Sequence, residues 1–215
     1  MFRKLILSQA CLFLSVTVGG IGTASAEVGC PAPESRPWSF GPWDYTNPVH
    51  REQHLPIMES HHFPREVRNL ERSSARSLAQ DLRYALNTFP NHHQALRSMT
   101  QLVQQEGSLR PDGLQRTLDC WFSRARRFNP DDGMVLMVHG MYYYDIGEYE
   151  RAAEKMEAGL ELEPGNHNIM YNLGLVYVEA GEYEKAREYA VKMYDQGFPL
   201  EGLRRKLHAA GHWDG

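Results

Sequence analysis

The second half of the chain carries one phrase twice. "DIGEYERA" at residues 145–152 returns as "EAGEYEKA" at residues 179–186, a shift of 34 residues. The same shift lays Gly140 on Gly174, Tyr143 on Tyr177, Gly147 on Gly181, Tyr149 on Tyr183, Ala152 on Ala186 and Pro130 on Pro164. A fixed period of this length marks a stacked architecture, in which each unit buries its apolar face only against its neighbours. Inside the period, "MVLMVHGMYYYDIG" and "NIMYNLGLVYVEAG" place apolar residues at helical spacing and end in a glycine suited to a left-handed helix stop. "EYERAAEKMEAGLELEP" and "EYEKAREYAVKMYDQGFP" then predict a second helix with acidic residues in its first turn, where the helix dipole favours them. The repeating unit is therefore a helix hairpin. Gly140 with Ala152, and Gly174 with Ala186, let the paired helices approach, while tyrosines and leucines fill the space between units.

"LGLVYVEAGEYEKA" resembles the tetratricopeptide repeat pattern: Leu-Gly in helix A, a tyrosine three later, a Gly-x-Tyr turn, an alanine early in helix B and a closing proline. The preceding copy departs from it, with His139 where leucine is usual and Gly159 where a late alanine is usual; the last copy has its proline one place late, at Pro199. Earlier copies are degenerate. "NHHQALRSMTQLVQQEG" and "LQRTLDCWFSRARRFNP" read as a hairpin interrupted by "SLRPDG", and "SLAQDLRYALNTFP" reads as an orphan helix B. At the other end "EGLRRKLHAAG" offers Leu203 and Leu207, with Leu200 just before it, to cover the last repeat. The expected fold class is all-α, a helical solenoid over residues 74–215 with a C-terminal capping helix, roughly eight helices in total.

Residues 1–26 read as an export signal: Arg3 and Lys4, an apolar run from Leu5 to about Gly22, and Ala24-Ser25-Ala26 before the cut. An uncleaved anchor is the alternative. No second apolar segment follows, so no membrane span is expected after cleavage, and the location is periplasmic or secreted. Removing two of the 23 Lys and Arg leaves 21 against 27 Asp and Glu, a net charge of −6. An acidic chain without a basic stripe is a poor binder of phosphate backbones, so nucleic acid is not an expected partner. Cleavage also removes Cys11, leaving Cys30 and Cys120 in an oxidising compartment, where they are expected to form a disulfide pinning the arm to helix B of the first hairpin.

Residues 27–73 form an arm of different character. Seven of the twelve prolines fall between Pro31 and Pro64, among Trp38, Phe40, Trp43, Tyr45 and several histidines. So many prolines predict an extended arm with a short helix beginning at Pro64. "GPWDYTNP", "ESHHFPREV" and "DLRYALNTFPNHHQAL" ahead of the repeats resemble a group of exported bacterial repeat proteins; the resemblance implies a periplasmic location and implies no activity.

No Gly-rich phosphate loop, G-x-S-x-G elbow or HExxH is present, so no catalytic residue and no cofactor is expected. His50, His54, His61, His62, His92 and His93 have metal potential. The reading preferred for them is surface and packing histidines, His92 and His93 merely starting a helix with Asn91 as its N-cap; a metal-binding protein is the alternative. The solenoid points to binding instead. The family resemblance implies a groove lined by helix A residues, here Met134, Met137, Met141 and Tyr144, then Asn168, Tyr171, Leu175 and Val178. An apolar, methionine-rich lining suits an apolar segment of a protein or peptide partner, because methionine adapts to varied shapes. In the other reading the arm fills this groove and the methionines are core.

Overall fold

The computed structural model describes residues 30–33 and 40–213. The export signal, its cut after Ala26, and Trp38 lie outside the described residues. Among the described residues, all regular structure is helical: α1 (Pro48–His62), α2 (Arg65–Arg68), α3 (Leu78–Thr88), α4 (His93–Glu106), α5 (Leu118–Phe128), α6 (Gly133–Asp145), α7 (Tyr149–Leu162), α8 (His167–Glu179), α9 (Tyr183–Tyr194) and α10 (Gly202–Ala209). The architecture is an all-α solenoid. Helices α6 and α7 pack along their length, as do α8 and α9, and α7 packs on α8 to join the two hairpins.

The repeat is visible in the turns. Gly147 and Gly181 take left-handed φ angles of 79° and 77°. In the first turn the Glu148 amide donates to Tyr143 O at 2.9 Å and the Gly147 amide to Tyr144 O at 3.0 Å; in the second, Glu182 donates to Tyr177 O at 2.8 Å and Gly181 to Val178 O at 3.1 Å. These paired bonds satisfy the last carbonyls of each helix A and fix the reversal. Gly159, a departure from the family pattern, has a packing cause. A Cβ there would stand 2.7 Å from the Gly133 carbonyl oxygen, so α6 and α7 cross backbone to backbone where an alanine would hold them apart.

The first hairpin is looser. Its inserted loop folds inward through fully buried Leu114, held by the Leu118 amide on Leu109 O at 2.9 Å and the Arg83 guanidinium on Gly113 O at 3.1 Å. Helices α4 and α5 consequently touch far less closely than α6 and α7. At the far end Leu203 and Leu207 are fully buried, Leu203 against Gly174. Leu200 does not join them and is exposed.

The arm corrects the expectation of an extended segment. Residues 48–62 form a 15-residue helix that includes Pro56. Asn47 caps it, accepting from the Val49 amide at 2.9 Å, and Pro48 begins it. Pro56 removes the amide that would reach Glu52, but both residues are exposed, so water can take up the freed carbonyl. Met58, Phe63 and Val67 are buried, and α1 and α2 cover the open side of α3 and α4. Buried Asp81 of α3 holds the loop that leads into α3 from α2, accepting from Ser73 Oγ and the Ser74 amide at 2.7 Å each.

Cys30 and Cys120 are joined by a disulfide, with Cα atoms 5.5 Å apart, which ties the arm to α5. Arg124 donates to the carbonyls of Pro31 and Ala32, and Arg127 to that of Cys30 at 2.7 Å. Further along, the Trp43 amide donates to Thr88 O at 2.7 Å and the Tyr45 amide to Asn91 Oδ1 at 2.9 Å. The described arm is therefore seated on α3, the start of α4, and α5.

Candidate functional site

Helices α4, α6, α8 and α10 lie side by side as the A-helix layer of the stack. Residues three or four apart on one helix share a face, so α6 presents Met134, Met141 and Tyr144 to the inner surface of this layer, and α8 adds Leu175 and Val178. All five are half-buried and pack against the core from one side, while Asn168 stands exposed at the edge. Two residues expected in the lining are placed otherwise. Met137 is only 6% exposed, its sulfur 3.6 Å from Asn172 Nδ2, because α8 closes over it. Tyr171 lies under the cap: its hydroxyl stands 2.2 Å from where a Cβ on Gly202 would be, and its ring centre is 5.5 Å from that of Phe198.

Ion pairs bracket the strip. Asp145 pairs with Arg97 of α4, and Glu179 pairs with Lys206 of α10. Asp145 and Glu179 are period mates 34 residues apart, one joined to the helix before and the other to the helix after. Matching repeats to one another leaves such cross-helix partners unseen; the acidic residue recurring at the end of each helix A is the signal that could have found them. Burial, and the Glu179 carboxylate after it, push the Tyr144 hydroxyl above its ordinary pKa, so it stays a donor at neutral pH. The arrangement is an apolar strip with polar ends, able to bury an apolar segment and orient its flanks.

The histidines are otherwise engaged. Once residues 48–62 are helical, His50 and His54 do share a face, and they turn it on Trp43, with His54 stacked at 3.9 Å and His50 at 5.2 Å. His50 Nδ1 accepts from the Asp44 amide at 3.1 Å. His61 is exposed; His62 stacks on Tyr84 at 3.7 Å. His93 Nε2 lies 2.9 Å from the Asp132 carboxylate. Among the described residues no group of three His, Cys, Asp or Glu side chains is placed to hold a metal ion.

His92, not Asn91, is the N-cap of α4. Its Nδ1 accepts from the Ala95 amide at 3.2 Å and its Nε2 faces Glu59 Oε1 at 3.2 Å, which fixes the neutral tautomer with the proton on Nε2. Asn91 is used elsewhere, donating to Asp44 and to Asp132 at 2.8 Å each. Burial lowers the His92 pKa below its ordinary value despite Glu59, whose own pKa is lowered by the hydrogen bond from His92. The sign follows. As pH falls through the ordinary histidine range near 6.5, the unfolded chain takes a proton that folded His92 refuses, so stability falls. Urea titrations should show stability dropping from pH 7 to pH 5 by up to about 1.4 kcal/mol per pH unit for this site, and a His92→Asn variant should have a flatter profile. An unchanged or rising profile in the parent protein would contradict the neutral cap.

Residues 137–199 match the Tetratricopeptide repeat family, a stretch running from α6 to just beyond α9. No curated protein matches the chain. Among the described residues no helix is long and apolar enough to cross a membrane.

Proposed function

We propose that this chain is an exported, non-enzymatic interaction scaffold or assembly factor that works in the bacterial envelope, periplasmic or secreted, and grips an apolar segment of a protein partner on the inner face of α6 and α8. The observation that supports it most is the strip of Met134, Met141, Tyr144, Leu175 and Val178, apolar yet half-exposed on adjacent A helices of a repeat whose family serves protein binding. A contiguous apolar strip of this kind marks a contact surface more often than idle solvent exposure. The described arm is tied to α3, the start of α4, and α5. Methionine and tyrosine together supply adaptable and anchoring area, as helix-in-groove recognition requires.

A photo-reactive phenylalanine analogue placed at Met141, with a second at exposed Glu188 on α9 as control, tests this directly. Irradiation of cells should attach the same envelope protein to the first variant and not to the second. Equal labelling from both positions, or none from Met141, would overturn the assignment of the face.

A further inference from the structure

On the opposite side of the stack, the loose first hairpin leaves a cleft of about 520 Å³ between α5 and α7, floored by α6. We propose that this cleft is a binding site for a small phosphate-bearing solute, distinct from the apolar strip. Its walls carry Arg126 and Arg127 from α5 and Arg151 and Lys155 from α7, against a single carboxylate, Asp119. In a chain of net charge −4 such a cluster is not an average of the surface. Four cations facing one space repel one another, and a multiply charged oxyanion relieves that more fully than a lone carboxylate.

The four cations differ in how far they are already engaged. Arg126 is exposed and has no ion pair among the described residues. Arg151 pairs with Glu148 at 2.6 Å and donates to the Tyr143 hydroxyl at 2.7 Å, and Lys155 pairs with Glu154 at 2.9 Å; both carboxylates face solvent, and such exposed ion pairs contribute little. Arg127 is committed to the Cys30 carbonyl, which keeps it on the α5 wall.

The floor is where the repeat pattern is broken. His139 replaces the usual leucine and lines the cleft. It is 9% exposed and stacks flat on Phe122, at 4.1 Å, and at a 27° incline on Tyr143, at 5.0 Å, with the Arg151 guanidinium 4.0 Å above Tyr143. Its Nε2 is buried without a well-formed hydrogen bond, the nearest carboxylate oxygen, on Asp119, being 3.5 Å away. A buried imidazole nitrogen short of a partner costs free energy, and a ligand oxygen in the cleft would supply one.

The test is a titration with inorganic pyrophosphate at ionic strength held constant with sodium chloride, following the His139 ring by NMR and assigning it through a His139→Leu variant. A saturable shift is expected. The Arg126→Gln/Lys155→Gln double variant should weaken binding by at least about tenfold without loss of helix content, and Arg205→Gln, at an exposed position on α10, should leave it unchanged. A ring signal that does not move, a shift that sodium chloride reproduces, or equal affinity in the double variant overturns the proposal. Sedimentation with anionic phospholipid vesicles, in place of any response to free pyrophosphate, overturns the assignment to a soluble ligand.

Discussion

Reducing the bond between Cys30 and Cys120 should lower the melting temperature of the chain by roughly 10 to 15 °C. The two cysteines are 90 residues apart in sequence, and closing a loop of that length removes unfolded-state entropy worth about 4 to 5 kcal/mol in the chain-entropy model. The bond spans α1 to α4, so it constrains the degenerate half of the stack, where the inserted loop has loosened α4 against α5. The repeats at 137–199 lie outside this loop and should melt nearly unchanged in a fragment-resolved measurement such as hydrogen exchange. Thiol titration of the oxidised protein should find neither Cys30 nor Cys120 reactive. Equal melting with and without reductant would show that the arginine contacts to residues 30–32 hold the arm unaided.

Replacing Gly159 by valine should cost about 3 kcal/mol or more. The clash is with backbone: the added Cβ meets the Gly133 carbonyl at 2.7 Å and Leu136 Cβ at 3.3 Å, and Gly133 in turn tolerates no Cβ because the Gly159 carbonyl lies 2.4 Å from where it would be. Neither helix can yield alone, since α6 and α7 are joined by a three-residue turn and packed along their length. The contrast is Gly165, which has nothing within 4 Å and whose change to valine should stay within about 0.5 kcal/mol. Urea unfolding of the two variants beside the parent protein measures the difference; similar losses at both sites would contradict the close crossing.

Much of this fold is legible because a period of 34 residues repeats both the helix stops and the small residues that let helices meet. The hairpins α6–α7 and α8–α9 and the buried leucines of the α10 cap can be read from spacing alone. Residues 48–62 could not be, because proline count is a poor guide where Asn47 and Pro48 open a helix and Pro56 falls on its exposed side. The site was legible in part. Spacing places Met134, Met141, Tyr144, Leu175 and Val178 on one face, but a one-dimensional period does not say that α8 covers Met137 or that α10 covers Tyr171. His139 illustrates the reverse. It reads as a small flaw in the repeat, yet it floors a cleft that only the stand-off of α5 reveals.

The groove itself is tested most directly by pairing thermal melting with partner capture for Met141→Ala and Tyr144→Ala. Both side chains are half-buried at the strip and neither lies under the cap, so their loss should remove contact area for a partner while leaving the stack intact. Tyr144→Ala should weaken capture of the protein cross-linked at Met141 by about 1 to 3 kcal/mol, as for an aromatic anchor, with melting lowered by only a few degrees. Unchanged capture alongside a sharply lowered melting temperature would show instead that the strip is internal core and that the partner is held elsewhere.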